Sequence, residues 1–188
     1  MELVLNLPSG ISLSVLRTHE AETLYTLINR NRGHLREWLP WVDATRDPQD
    51  TRRFLELSYR SYLRGGGFSF GIRREGELFG VIGFHGFDTA NRVTSLGYWL
   101  AKDACGQGVM RAAVAGCVGY AFGDRGMNRL YVRCATKNER SRRVPETLGF
   151  VHEGTQREAE WLYDHFVDLE VYSLLAAEWR KRSFGNAL

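Results

Sequence analysis

Two glycines between a predicted strand and a predicted helix constrain this chain more than any other stretch. The strand runs from Thr94 to Ala101, the glycines are Gly106 and Gly108, and the helix continues to Phe122. Apolar residues recur along that helix at the spacing of one buried face, namely Met110, Ala113, Val114, Cys117, Val118 and Ala121. Because glycine adds no side chain, the N–H groups of the first helical turn stay accessible. With the helix dipole, they form an anion site suited to a phosphate.

The other segments predict a mixed α/β domain with a largely antiparallel sheet. The predicted strands besides Thr94 to Ala101 are Ile11 to Arg17, Phe68 to Arg73, Leu78 to Phe87, Arg129 to Ala135, and two between Phe150 and Leu175. The other predicted helices are His19 to about Arg32 with Thr18 as cap, Pro48 to Leu63 with Asp47 as cap, and Asn138 to Leu148. Ala176 to Arg182 is predicted to be a polar tail.

Composition limits the classes of protein that remain. The 188 residues fit one domain, 1–188, and 44% hydrophobic with 25% charged residues argues against disorder. No apolar run is long enough to cross a membrane, and the N-terminus lacks the basic region of a secretory signal. The three cysteines show no C-x-x-C spacing, which predicts a reducing, cytoplasmic location and no metal site. A net charge of +3 decides little between an anionic small ligand and a weak nucleic-acid contact.

Three kinds of phosphate site compete for the glycine turn. The P-loop pattern is absent. The dinucleotide pattern needs a third glycine, which Gly106 to Arg111 lacks, and an acid near the end of the next strand, where the chain has Cys134-Ala135-Thr136. The third is a turn that holds the pyrophosphate of an acyl-CoA.

Several motifs, in order along the chain, resemble the GNAT superfamily of N-acetyltransferases. In the acetyl-CoA motif Q/R-x-x-G-x-G/A, Gly108 matches, whereas Cys105 and Met110 depart from the pattern. Asn138 to Phe150 resembles the N-x-x-S…LGF segment. Further segments resemble the branch that acetylates ribosomal-protein N-termini. They are Trp38 to Trp41, Gly97 to Leu100, Gly154 to Trp161 and Asp168 to Leu174.

The resemblance implies the GNAT fold, with a splayed central strand, and direct acetyl transfer from acetyl-CoA to an amine. Glu160 would be the general base, and Ser141 would donate to the departing thiolate. Trp38 and Trp41 would either line the substrate mouth or pack in the core. The acetyl-CoA contacts implied are Trp99, Leu100, Ala101, Cys105, Gly106, Gln107, Gly108, Val109, Met110, Arg111, Asn138 and Arg143. Arg140 and Arg142 are further candidates for the phosphates on charge alone.

The acceptor stays open at this point. The resemblance favours the α-amine of a ribosomal-protein N-terminus, with a small amine as the alternative, or a CoA-binding or ribosome-associated module without turnover. A homodimer is possible, and no membrane or direct nucleic-acid binding is expected. The five histidines are predicted to be structural, and covalent catalysis by Cys105 is disfavoured because no base lies beside it in sequence.

Overall fold

One eight-stranded sheet with helices on both faces organises the computed structural model, which describes residues 3–185. The strands are β1 Val4–Asn6, β2 Ile11–Val15, β3 Phe68–Arg74, β4 Glu77–Asp88, β5 Val93–Leu100, β6 Arg129–Ala135, β7 Val151–Leu162 and β8 His165–Leu175. Their order is β1-β2-β3-β4-β5-β6-β8-β7, and only β5 and β6 pair in parallel. The predicted fold class is confirmed. The short strand β1 has no counterpart among the sequence predictions.

The hairpin between β3 and β4 forms where its sequence predicts a turn. Glu75 and Gly76 both have positive φ, +51° and +85°, which is the two-residue turn that matches the twist of antiparallel strands. The parallel pair of β5 and β6 instead needs a crossover, and a helix supplies it. This crossover follows Gly106 and Gly108.

The described residues form six α-helices. They are α1 Ala21–Arg30, α2 Arg32–Arg36, α3 Pro48–Leu63, α4 Val109–Gly119, α5 Glu139–Thr147 and α6 Ala176–Gly185. The predicted Asp47 cap is confirmed, because its carboxylate accepts from the N–H groups of Gln49 at 2.7 Å and Asp50 at 3.1 Å. A π-helical turn, Tyr120–Asp124, extends α4.

Three predictions about helices need correction. Thr18 does not cap α1, because it lies inside a 3-10 turn where the Arg17 N–H donates to Glu20 Oε2 at 2.8 Å. The predicted helix to Arg32 breaks at Asn31, whose amide donates to the Leu27 carbonyl at 2.9 Å. The predicted polar tail is wrong, because α6 begins at Ala176. The helix has a weak apolar pattern, but Trp179 packs against a buried aromatic ring.

Alternate residues of the central strands enter two separate cores. On β4, Ile82 joins the cluster under α4, and Val81 joins the cluster under α1 to α3. The sheet therefore has an α4–α5 face and an α1–α3 face. Within residues 3–185, no helix is long and apolar enough to span a bilayer.

Candidate active site

The sheet opens between β5 and β6. The two strands pair only between Val93–Leu96 and Arg129–Val132. Beyond these residues, β5 stays with β4 as far as Leu100, and β6 stays with β8 as far as Ala135. A cleft bounded by two strand edges therefore runs through the sheet, and backbone groups on these edges are free to bind an extended molecule.

Three predicted acetyl-CoA contacts form one lip of this cleft. The side chains of Leu100 and Ala101 are buried, at 8% and 2% exposed, so these residues offer only backbone groups. The Ala101 N–H already donates to the Phe79 carbonyl at 2.8 Å. Trp99 points to the α1–α3 face, since it lies opposite Val81 in the antiparallel register.

The glycine turn lies at the end of this lip and leaves the start of α4 accessible. Gly106 and Gly108 have φ of +79° and +75°, and a Cβ at either would meet no atom within 4 Å. Gly108 is the N-cap, and neither a side-chain cap nor an acid occupies the first turn. Val109 and Met110 have buried side chains, so they offer only backbone N–H groups. The turn therefore has the geometry of an anion site.

Side chains around the turn brace it and add positive charge. The Gln107 amide donates to the Asp103 carbonyl at 2.7 Å and accepts from Arg74 at 3.1 Å. Arg111 borders a groove of about 490 Å³ that runs beside α4 to Leu148. These residues fit a phosphate-bearing ligand at the turn.

The arginines of α5 divide into two groups. Arg140 and Arg143 are exposed and available to an anion. Arg142 is committed to the fold, because it donates to the Thr136 carbonyl at 2.9 Å and to the Tyr172 hydroxyl at 3.2 Å. Arg142 is therefore the weakest of the arginine candidates.

Asn138 and Ser141 lie beside the cleft at the start of α5. Asn138 Oδ1 accepts from the Ser141 N–H at 3.1 Å, so Asn138 is the helix cap. The Ser141 carbonyl accepts from the hydroxyl of Tyr98 on β5 at 3.0 Å. Burial raises the pKa of Cys134 on β6 to about 11, and a hydrogen bond with Ser141 opposes that shift. Ser141 is thus held between the two lips.

Cys105 is a poor nucleophile here. Its thiol donates to the Ala101 carbonyl at 3.4 Å, and its Sγ lies 3.9 Å from His34 Nε2, a neighbour that the sequence did not reveal. Burial raises the pKa of Cys105, which favours the thiol over the thiolate.

Glu160 lies on the α1–α3 face, across the sheet from α4 and α5. It faces Val167 after an irregularity in the β7–β8 register between Gln156 and Glu160. Burial raises the pKa of the Glu160 carboxyl, and the positive charge of Arg133 opposes that shift. A half-buried carboxylate with a raised pKa suits a general base.

His85, which the sequence predicts to be structural, also lies on this face. Its Nδ1 lies 3.1 Å from the Ser95 hydroxyl, and a Cβ on Gly97 would come within 2.5 Å of its Nε2. Burial and the charge of Arg133 lower the pKa of His85. Val81 and His85 are four residues apart on β4, and this even spacing is the sequence signal that could have placed both side chains on one face.

Two sets of residues lie on the α1–α3 face, and the sheet surface between these two walls is called the groove. On one side, the Trp41 and Trp99 rings have their centroids 6.2 Å apart, and Trp38 is partly buried in the turn after α2. On the other side is the tip of the β7–β8 hairpin, where the Tyr163 hydroxyl donates to the Leu39 carbonyl at 2.5 Å. Trp41 therefore both packs against the core of this face and lines the groove.

The arrangement has two approaches that meet at one cleft. The glycine turn and Ser141 lie on the α4–α5 face, and Glu160 and Trp41 lie on the α1–α3 face. A phosphate-bearing donor and an acceptor can therefore approach from opposite sides. This geometry is suited to direct group transfer between two bound molecules.

The profile of the acetyltransferase (GNAT) domain matches residues 11–151. YdaF of Bacillus subtilis, provisionally named a ribosomal N-acetyltransferase, is 35% identical over 90% of this chain and 93% of its own length. The ribosomal-protein-serine acetyltransferase of Escherichia coli is 28% identical over 92% and 97%. A microcin self-immunity acetyltransferase solved with acetyl-CoA and AMP has a TM-score of 0.84 at 27% identity, covering 89% of this chain and 93% of that one.

Proposed function

This chain belongs to the GNAT acetyltransferase family, and from that premise we propose that its acceptor is the α-amine of a protein N-terminus. The family reaction moves the acetyl group of acetyl-CoA to an amine. The observation that supports the proposed acceptor is the half-buried Glu160, with its raised pKa, on the same face of the sheet as the Trp41 and Trp99 rings. The names of the two relatives further favour ribosomal proteins as the source of that N-terminus.

Each side of the cleft has a distinct role in this proposal. The N–H groups at the start of α4 hold the pyrophosphate of acetyl-CoA, and Arg111 beside the turn and the exposed Arg143 on α5 add positive charge. Backbone groups of Trp99 and Leu100 align the pantetheine arm and the acetyl carbonyl. Preorganised dipoles at this position stabilise the negative charge that develops on the carbonyl oxygen.

Proton transfers are assigned to two side chains. Glu160 accepts the proton that the amine loses as it attacks the thioester, directly or through a water. Ser141 donates a hydrogen bond to the departing thiolate from the opposite face. Its backbone is fixed by Asn138 and Tyr98, which keeps the hydroxyl close to the cleft.

The proton affinity of the acceptor supports an α-amine over a lysine. An α-amine has a pKa of about 7.7–8.0, against about 10.4 for lysine. At pH 7, roughly a tenth of α-amines are already neutral, whereas well under a thousandth of lysines are. A carboxylate base of modest strength can therefore complete the deprotonation of an α-amine more easily.

A small amine is the second candidate acceptor. The likeness to the microcin self-immunity enzyme, which was solved with acetyl-CoA and AMP, favours it. The two candidates differ in how much of the groove the acceptor fills. A peptide would extend beyond Glu160 along the sheet, whereas a small amine would end there.

Thiol release from acetyl-CoA against a panel of acceptors tests the proposal. The panel contains peptides beginning with Ser or Ala, the same peptides with a blocked N-terminus and one internal lysine, and small amines such as spermidine. We expect turnover of the free N-termini and none of the blocked peptides. Turnover of small amines alone would establish the second candidate instead.

A further inference from the structure

An open basin of about 410 Å³ lies beyond Glu160 on the acceptor side of the sheet. It spans β6, β8 and β7, and its lining includes Arg129, Tyr131, Arg133, Glu153 and Gln156. Arg133 is opposite Val171 on β8, and Glu160 is opposite Val167. Because alternate residues of a strand share a face, the basin and Glu160 belong to one continuous surface.

The two arginines of the basin differ in their partners. Arg129 donates to both carboxylate oxygens of Glu153, one of them at 2.6 Å, and the Ser173 hydroxyl donates to Glu153 at 2.7 Å. Arg133 is exposed, and its only side-chain hydrogen bond among the described residues is a long one, 3.5 Å, to Gln156 Oε1. The negative charge in the basin is therefore neutralised, and Arg133 is the group that remains to bind an anion.

The walls of the groove direct the acceptor toward this basin. On the hairpin side, the Tyr163 hydroxyl bonds the Leu39 carbonyl, and the Arg36 guanidinium lies 4.0 Å from the centroid of the Tyr163 ring. That contact joins the hairpin tip, three residues after Glu160, to the segment that follows α2. A chain whose first amine is at Glu160 therefore continues over β6 and β8.

Strand spacing shows which residue of the acceptor meets Arg133. Val167 and Val171 are four residues apart, which is about 13 Å at 3.3 Å per residue. The guanidinium of Arg133 comes closer to Glu160 than this backbone spacing, because the side chain is long and its charge opposes the effect of burial on the pKa of Glu160. An extended acceptor reaches the guanidinium with its second to fourth residue.

We propose that this basin is a subsite for the acceptor residues that follow the first, and that Arg133 selects a carboxylate side chain among them. The inference rests on the proposed function, because it requires a peptide acceptor. A planar guanidinium matches a carboxylate with two parallel hydrogen bonds, which a neutral amide does not reproduce.

Paired peptides test the subsite. Each pair has the same small first residue and carries either Asp or Asn at position two, three or four. For the wild-type enzyme, we expect kcat/KM to favour Asp over Asn by about fivefold at one position, mainly through KM, as expected for a solvent-exposed ion pair. Arg133→Gln should abolish that preference, and Arg133→Glu should favour a Lys peptide instead.

Arg60→Gln is the matched control, because Arg60 is an exposed arginine on α3 and the substitution removes the same charge. The Asp preference should persist in that variant. Equal wild-type rates on Asp and Asn peptides at all three positions would overturn this inference and leave the proposed function standing. A preference that survives Arg133→Gln would overturn it too. If no peptide is acetylated, the proposed function fails first.

Discussion

The positive charge of Arg133 affects the pKa values of two neighbours, Glu160 and His85. The arginine is near enough to oppose the effect of burial on the Glu160 carboxyl and to lower the pKa of His85. Its positive charge favours the ionised form of Glu160 and adds to the effect of burial, which disfavours protonation of His85. At the scale of residues, the acceptor side of the cleft therefore has two proton acceptors and one fixed positive charge.

Replacing the proposed base should remove most of the turnover. We expect Glu160→Gln to lower kcat by about 10² or more, because a positioned base contributes about that factor. In the wild type, kcat/KM should fall as pH drops through the pKa of Glu160, which burial raises, since only the carboxylate accepts a proton. The acid limb of the pH–rate profile, measured by thiol release, checks this.

Glu158→Gln is the control for that substitution. Glu158 lies two residues away on the same strand, and its side chain is exposed. Its activity and pH profile should match the wild type. An unchanged kcat in Glu160→Gln would assign the base to another group, and His85 would be the next to test.

The residues of the site were predictable to different degrees. Resemblance selected Glu160 and Ser141, and the structure places them on opposite sides of one cleft. The roles of Arg133 and His85 could not be predicted from the sequence, because they depend on cross-strand neighbours that are far apart in sequence. No local pattern distinguishes an arginine without an ion-pair partner from one such as Arg129, which Glu153 holds.

At the scale of elements, the glycine turn and the hairpin tip each control one approach to the cleft. The turn before α4 was predictable, because glycine spacing and an apolar stripe are local signals. The contact of Tyr163 with Leu39 was not, since it joins residues 124 positions apart. The helix α6 was missed for a similar reason, because the packing of Trp179 on Phe122 supports it more than its own periodicity does.

A side chain in the glycine turn should weaken acetyl-CoA binding. Gly108→Ala places a Cβ on a residue with φ of +75°, beside the N–H groups of α4. We expect a loss of about 1 kcal/mol in stability from the left-handed conformation, together with a several-fold higher KM for acetyl-CoA.

Gly126→Ala is the control that separates backbone strain from a loss of acetyl-CoA binding. Gly126 has φ of +61° and equally open surroundings, but it lies in the loop before β6. It should lose similar stability with no change in KM. Equal KM values in the two variants would contradict a role for the Gly108 turn in binding.

Loosening the hairpin tip should affect the acceptor and not the donor. Tyr163→Phe removes the hydroxyl that bonds the Leu39 carbonyl, so KM for the peptide should rise several-fold while KM for acetyl-CoA stays constant. Tyr25→Phe is the control, because the Tyr25 hydroxyl also donates to a backbone carbonyl, that of Arg46, at 2.7 Å. Both variants should lose about 1 kcal/mol or less in stability. A peptide KM that rises equally in both would point to general destabilisation.

At the scale of the whole molecule, the sheet consists of two halves that share only the short parallel pairing of β5 and β6. The half formed by β6, β8 and β7 holds Arg129, Glu153 and Ser173 in one cross-strand network. Such a network stabilises the half that has less helical cover on the acceptor face. Its strength should depend on pH.

Acid should weaken the network of Arg129, Glu153 and Ser173. The Arg129 guanidinium lowers the pKa of Glu153 to about 2 in the folded protein, whereas the unfolded value is about 4.5. The stabilisation is therefore complete above the unfolded pKa and is lost as pH falls from about 4.5 toward 2. Solvent screening limits it to about 1 kcal/mol.

Chemical denaturation from pH 7 to pH 2 measures that contribution. Glu153→Gln should be less stable than the wild type at pH 7, and the difference should vanish near pH 2. A constant difference across the range would mean that packing, and not the ion pair, accounts for the loss.

The contact between Tyr163 and Leu39 also bridges the two walls of the groove at the hairpin tip, which under the proposed function leaves the acceptor one direction in which to continue. A peptide that begins at the cleft needs only one way out. A lysine in the middle of a folded protein carries polypeptide in both directions from its Cα, and one of these directions meets the bridged end. Under the proposed function, this contact disfavours internal sites independently of their basicity and favours the beginning of a chain.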